Sequence, residues 1–413
     1  MTLEPIPCRS RKGEVVSLEM ETLKRMLYEE IDQLEDMTAR KRLQYLMVCS
    51  SPERREQLRT RMMEVVSGHL QENGLGLPPA LDQAEEDRVA VHLQELKEDG
   101  ITRLGPVLSS GQAAEIRDHL ADRPVYGGGT VSQGAETGWE PLAQARKKHA
   151  QCTYDLEDLV KAPYLLELMA SPIVTRLASR YLGAPPTVYS PSAFWSFPMP
   201  SKSPPSQQIH RDWDGFHHLA LFVYLVDVNK ENGAHQYLRK SHTLERLDTV
   251  MRREENRNDP PSRDELFYYH LDEKSPGDDR LLSIFSKEET SLEGVAGEAF
   301  LLDPFGLHRG HPLVKDERLL FWARYSLYHN GNSIDVSRSP MPKEAAANRI
   351  PDDLLHRYMF RTFIESEFSV TAESTLHLPS VSLMEPPPKR PHPVKRGQLD
   401  WLGKLLSPVR NRR

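Results

Sequence analysis

Between residues 18 and 70 apolar positions recur at spacings of three and four, with Leu23, Leu27, Ile31 and Leu34 set among charged residues. That is the period of a helix with one buried face. The stretch reads as two helices joined near Ser50-Ser51-Pro52, an amphipathic extension packed on the rest of the chain. A dimerisation arm is the alternative, although no heptad continues beyond the segment. The turn Asn73-Gly74-Leu75-Gly76-Leu77-Pro78-Pro79 closes the region. From about Asp87 the pattern predicts an amphipathic helix through Leu96, a short strand over Gly100–Leu104, a helix over Ser109–Leu120 and a flexible Gly-rich loop over Tyr126–Gly138. Helix returns over Leu156–Leu182, with Pro163 and Pro172 at first-turn positions.

After Gly183 the texture becomes β. Val188-Tyr189, Ser192–Phe197, Leu219–Val226, Ala299–Leu302 and Leu319–Leu327 are short runs of apolar, aromatic or β-branched residues bounded by Pro, Gly, Asn and Asp. Short strands separated by turns and preceded by helices predict a mainly β fold with α: a double-stranded β-helix, or jelly roll of cupin-like build, flanked by helices. The expected organisation is a helical N-terminal extension over 1–86, a jelly-roll domain over 87–370 and a Pro-rich, basic, disordered tail over 371–413. A long polar insertion, about His242 to Glu293, interrupts the strands and reads as a lid or a solvated excursion.

Composition narrows the class. With 38% hydrophobic residues, 27% charged residues and a net charge of -7 over 413 residues, the chain reads as a soluble globular protein. The acid is unevenly placed, because from Pro386 to Arg413 the tail residues Lys389, Arg390, Lys395, Arg396, Lys404, Arg410, Arg412 and Arg413 face only Asp400. Beside a short amphipathic segment containing Leu399, Trp401, Leu402, Leu405 and Leu406, that tail reads first as a solvated end. A weak contact to anionic membrane comes second and a weak nucleic-acid contact third, with no specific nucleic-acid partner expected. Cys8, Cys49 and Cys152 are odd in number and far apart, which supports neither a disulfide framework nor a cysteine-based zinc site. That cysteine usage suits a reducing, cytoplasmic location, and secretion or membrane insertion is not expected, since neither a leader pattern nor a run of about 18 apolar residues occurs.

The candidate chemistry begins at Gln207-Gln208-Ile209-His210-Arg211-Asp212. On an extended backbone a spacing of two puts His210 and Asp212 on one face, where an imidazole nitrogen and a carboxylate oxygen can reach one ion. A third ligand is required, and His308, presented by the turn after the apolar run Glu298–Leu302, is preferred to His311, which lies beyond Arg309-Gly310 and before Pro312. Two histidines and one carboxylate leave the opposite side of an ion open, which suits Fe(II); zinc is the chemical alternative.

The ordered series His210-Arg211-Asp212, then Leu225-Val226-Asp227 through Glu231-Asn232-Gly233-Ala234, then Lys240-Ser241-His242, Leu307-His308-Arg309-Gly310 and Arg318 resembles the phytanoyl-CoA dioxygenase family over roughly residues 98–328. The chain departs from the family at Arg239-Lys240-Ser241-His242, where Pro-Gly-Ser-His is usual. The resemblance implies a jelly roll that couples oxidative decarboxylation of 2-oxoglutarate by O2 to hydroxylation of an unactivated C–H bond, with succinate and CO2 released. It implies Arg318, ten residues past His308, as the cation for the distal carboxylate of 2-oxoglutarate. Arg324 is the rival, because a separation of six places both on one strand face. Asp212 favours hydroxylation over halogenation, where the related enzymes carry a small residue instead. No catalytic group beyond the metal ligands is expected.

The remaining signals are weaker. Trp195, Tyr224 and Trp322 read as core, Trp213 and Phe216 as the better substrate contacts, and His217 and His218 as structural or surface residues. The substrate is expected to be a small molecule or acyl-type metabolite. Competing functions are a non-oxidative cupin-like metalloenzyme and a degenerate oxygenase serving as a binding or scaffold protein.

Overall fold

Strands whose alternate residues face two different apolar layers organise the molecule. The computed structural model describes residues 52–127, 138–199, 205–212, 215, 217–256, 259–267, 277–327 and 340–368. The expectations placed on residues 18–51, on Trp213 and Phe216 and on the tail from 371 lie outside the described residues, as does most of the Tyr126–Gly138 loop.

In chain order the elements are α1 (Pro52–Glu72), α2 (Gln83–Asp99), β1 (Ile101–Pro106), α3 (Ser110–Ala121), β2 (Val125–Gly127), β3 (Trp139–Glu140), α4 (Leu142–Ala145), β4 (Gln151–Tyr154), α5 (Leu156–Lys161), α6 (Leu165–Met169) and α7 (Pro172–Leu182). They continue with β5 (Thr187–Ser196), β6 (His218–Tyr224), β7 (His235–Leu238), α8 (Leu244–Met251), α9 (Arg263–Phe267), α10 (Asp278–Ile284), β8 (Glu289–Leu292), β9 (Glu298–Leu302), β10 (His308–Gly310), β11 (Arg318–Ser326) and α11 (Leu354–Met359). Local chemistry sets several boundaries. Asp82 caps α2 by accepting from Glu85 N, Ser109 and Gln112 form a capping box on α3, and Pro172 opens α7 behind Ser171.

Eight strands form one antiparallel sheet in the order β1-β9-β6-β11-β5-β4-β2-β3, and β10-β7-β8 form a second, smaller one. On β6, Leu219, Leu221 and Val223 join the large core under the helices, whereas Ala220, Phe222 and Tyr224 join the core between the sheets. The same alternation on β11 sends Leu319, Phe321, Ala323 and Tyr325 to the helices and Leu320 inward. By period, Arg318 and Arg324 share the inward face with Leu320. This two-sheet sandwich with helices on the outer face of the larger sheet is the double-stranded β-helix with flanking helices.

Two expectations differ in detail. The runs Val188-Tyr189 and Ser192–Phe197 are one strand, β5, kinked where Ser190 takes φ 51 before Pro191 and where the pairing with β11 shifts register. The described part of the segment 242–293 is not a solvated excursion: α8, α9 and α10 bury Leu247, Val250, Leu266, Leu281 and Ile284 with Ile209, Leu238 and Leu307, and its end supplies β8. That third apolar cluster backs the segments carrying the candidate metal ligands. The described part of α1 also packs inward, since Arg55 Nη2 donates to Gly215 O at 2.9 Å and its guanidinium lies 3.8 Å from the Phe305 ring centroid.

Candidate metal centre

His210 and His308 are 98 residues apart in sequence yet form an antiparallel bridge, His210 N donating to His308 O at 2.9 Å and His308 N to His210 O at 3.0 Å. The bridge brings the two imidazoles side by side, with ring centroids 4.4 Å apart. Asp212 follows two residues on, its N–H donating to Pro304 O at 2.9 Å. One ligand-type atom from each of His210, Asp212 and His308 lies within 4.8 Å of the others. The structure therefore brings the three sequence-selected residues to one place, while His311 is held elsewhere by a backbone bond to Ala234 O.

The tautomers suit a cation. His210 Nδ1 lies 2.8 Å from Gln208 O and His308 Nδ1 lies 2.8 Å from Gly306 O. A carbonyl only accepts, so each Nδ1 carries the proton and each Nε2 keeps its lone pair. Burial and the neighbouring His210 hold the His308 pKa well below its usual value, which keeps the ring neutral. Asp212 Oδ2 accepts from Arg324 Nη2 at 2.9 Å, while Asp212 Oδ1 lies 3.7 Å from His210 Nε2. One carboxylate oxygen is thus oriented by the arginine and the other faces the histidine. His210 and Asp212 are half-buried, with side chains 26% and 18% accessible against a buried His308, so the site opens on their side. These donors make a potential iron site: two imidazoles and one carboxylate that can hold one side of an ion and leave its other positions open.

Arg318 occupies a different environment from Arg324. It is 5% exposed, donates Nη1 to Gly233 O and Nη2 to Ser196 Oγ at 3.3 Å, and its Nε, also buried, makes no hydrogen bond. Among the described residues no carboxylate pairs with it, and burial lowers its pKa. The Asn-Gly turn aims that carbonyl: Asn232 Oδ1 accepts from Asn229 N and Asn232 Nδ2 donates to Asp227 O, while Gly233 takes φ 91. Gly310 leaves room for the guanidinium, since a Cβ there would sit 3.1 Å from Arg318 Nη1.

Several residues that the sequence did not single out complete the centre. Arg211, read only as the residue between two ligands, is buried and donates to Ser241 O at 2.6 Å, Leu266 O at 3.0 Å and Phe305 O. It ties the metal turn to the insertion, and burial pushes its pKa down to about 9. Ser241 Oγ accepts from Leu307 N at 2.7 Å, directly before His308. Asp303 shapes the turn by accepting from Phe305 N and from Tyr181 Oη at 2.7 Å. His235 stacks on His308 with centroids 5.4 Å apart and leaves its buried Nε2 without a hydrogen bond. His217 and His218 are buried too, and burial takes His218 down to about 3. The signal that could have placed His217 and His218 was their position at the start of an apolar central strand.

No curated protein matches the chain. Among solved structures, the chain resembles the non-heme alpha ketoglutarate dependent carbocyclase SnoK from nogalamycin biosynthesis, at 17% identity over 58% of this chain and 85% of that one, TM-score 0.38. It also resembles EctD from S. alaskensis with bound Fe, at 14% identity over 61% and 80%, TM-score 0.36. A third similar structure is EvdO2 from Micromonospora carbonacea var. aurantiaca complexed with 2-oxoglutarate, at 16% identity over 60% and 91%, TM-score 0.34. The sequence model described as phytanoyl-CoA dioxygenase (PhyH) matches residues 96–316, more than half of the chain and a span that contains all three candidate ligands. The chain belongs to the phytanoyl-CoA dioxygenase family.

Proposed function

We propose that this protein is an Fe(II)- and 2-oxoglutarate-dependent oxygenase that hydroxylates an unactivated C–H bond of a small-molecule or acyl-type metabolite, with succinate and CO2 as co-products. His210, Asp212 and His308 are the metal ligands in this reading, and Arg318 takes the distal carboxylate of 2-oxoglutarate.

The observation that carries it is Arg318, a buried guanidinium without a carboxylate partner among the described residues, pressed against Gly310. Gly310 is two strand positions beyond His308 on β10, about 7 Å along the backbone and on the same face. That span suits a five-carbon dicarboxylate with one end at the triad and the other on Arg318. Arg324 does different work, because Asp212 already occupies it. When bound, iron with 2-oxoglutarate and O2 supplies the oxidising power for cleaving a C–H bond. The residues hold and orient: the Gln208 and Gly306 carbonyls set the two imidazoles, Arg324 turns the carboxylate, and Ser196 with Gly233 O aims the guanidinium. Phe222, Phe300 and Leu302 keep the inter-sheet space apolar beyond them.

The test is succinate release from anaerobically iron-loaded protein on admission of O2, with and without 2-oxoglutarate. Succinate that depends on both is expected. Metal binding without 2-oxoglutarate binding would favour a non-oxidative cupin-like enzyme, and a biological role surviving His210→Ala would favour a scaffold.

A further inference from the structure

Away from the metal centre, a cavity of about 540 Å³ opens between α1, α7 and α8, within the size range of small-molecule sites. It lies outside the space between the sheets, since its wall includes Tyr181 of α7 and His217, whereas inward-facing positions on β6 begin at His218 and Ala220. Arg59, Lys97 and Arg246 face the cavity against Glu56 and Glu245. Glu56 is already engaged by Arg59 Nη2 at 2.8 Å. The buried Nε of Arg59 and the buried Nδ1 of His217 make no hydrogen bond, so this wall holds polar atoms without a protein partner.

The first turn of α8 adds a third kind of donor. Thr243, Leu244, Glu245 and Arg246 all line the cavity, with Thr243 as N-cap accepting from Arg246 N at 3.4 Å. The Leu244 and Glu245 N–H groups precede any carbonyl that the helix could offer them. Three cationic side chains against two carboxylates, with two imidazoles and the positive end of a helix around one cavity, leave a positive excess that matches a tetrahedral oxyanion better than a cation.

We propose that this cavity is a second binding site, separate from the iron and 2-oxoglutarate centre, that takes the phosphate end of a small phosphorylated molecule. Tyr181 in its wall donates to Asp303, so the occupant sits one hydrogen bond from the turn that carries His308 without entering the metal site. The inference does not depend on the oxygenase reading, and the test uses neither iron nor 2-oxoglutarate.

Inorganic pyrophosphate, titrated calorimetrically into the full metal-free chain at fixed ionic strength, is expected to fill one saturable site. Arg246→Met, at a half-buried position on α8, should weaken it at least tenfold while leaving the melting temperature without pyrophosphate unchanged. Arg59→Met should weaken it similarly, and Arg318→Met should leave it as in the wild type. The proposal is overturned if no saturable site is seen, or if both the Arg246 and Arg59 variants bind as before, which would place binding on other basic residues such as those of the tail. Displacement of pyrophosphate by 2-oxoglutarate, or tighter binding of malate than of pyrophosphate, would overturn it equally.

Discussion

Arg318→Met should do two opposite things, and the pair of signs tests the assignment better than either alone. Methionine keeps the apolar stem of the side chain but removes the charge, which among the described residues hydrogen-bonds Gly233 O and Ser196 Oγ. Replacing a buried charge that has no carboxylate partner among the described residues by an apolar group is neutral or stabilising, since replacing even paired buried charges by apolar groups often gains about 1–4 kcal/mol. The apo protein should therefore melt at the same temperature or higher. A bidentate guanidinium–carboxylate contact is made of two charge-assisted bonds of roughly 1.5–3 kcal/mol each, so its loss should raise the Kd for 2-oxoglutarate by about a hundredfold or more. The assay is an anaerobic titration of the iron-loaded protein, following the visible absorbance that appears when a 2-oxo acid chelates Fe(II), beside thermal melts of the apo protein. Arg324→Met is the control. It removes the orienting partner of Asp212 and should lower metal affinity by about 10–100-fold. A 2-oxoglutarate Kd unchanged in Arg318→Met, or one raised only in Arg324→Met, refutes the assignment of Arg318.

Gly306→Ala would place a Cβ onto Tyr237 Oη, the hydroxyl that donates to Asp303 O at 2.9 Å, in the turn whose carbonyl orients His308. A loss of about 1–3 kcal/mol in urea melts, with weakened metal binding, is expected; wild-type values for both would show that the turn tolerates the group. Lys240 takes φ 66 where the family usually has glycine, so Lys240→Gly should stabilise the fold by about 1 kcal/mol, and a destabilised variant would contradict the strain argument. Acid should weaken the apo fold early. Burial takes His218 and His242 to about 3, below the unfolded value of about 6.5, so the unfolded chain binds protons first as pH falls. Stability is full above about pH 6.5 and falls by about 1.4 kcal/mol per pH unit per histidine toward pH 3, or about 3 kcal/mol for the pair by pH 5.5. Equal urea midpoints at pH 7.5 and 5.5 would refute it.

The large sheet was legible because its central strands are buried on both faces, which leaves continuous apolar runs at Leu219–Val226, Ala299–Leu302 and Leu319–Leu327. The small sheet was not. Its strands read His235-Gln236-Tyr237-Leu238, Glu289-Thr290-Ser291-Leu292 and His308-Arg309-Gly310, too short and polar for an apolar period to register. Their polarity has a cause in the site: His308 is a candidate ligand, His235 stacks on it, and Gly310 yields its side-chain space to Arg318. For the His217-His218 pair, read as structural or surface residues, the structure takes the structural alternative: they lead into β6, which lies between β9 and β11 and is buried along its length.

For the site itself, local spacing reached only as far as local geometry. His210 and Asp212 are two residues apart, and Arg318 and Arg324 are six apart on one strand, so period alone put each pair on a common face. Which arginine already has a carboxylate could not be read that way, because it is decided by the contact of Arg324 with Asp212 across 112 residues of chain. The bridge that sets His210 against His308 is equally non-local. The supports of the metal turn come from still farther: Arg211 through three carbonyls, Ser241 through Leu307 N, and Arg55 of α1 against the Phe305 ring. Such residues carry no pattern in sequence, since a guanidinium satisfied by backbone carbonyls needs no complementary side chain to betray it. An arginine beside a ligand therefore has two opposite meanings. Arg211 gives three hydrogen bonds to backbone carbonyls and builds the turn, whereas Arg318 has one carbonyl and one hydroxyl, lacks a carboxylate partner among the described residues, and is in our proposal the one that takes an anion.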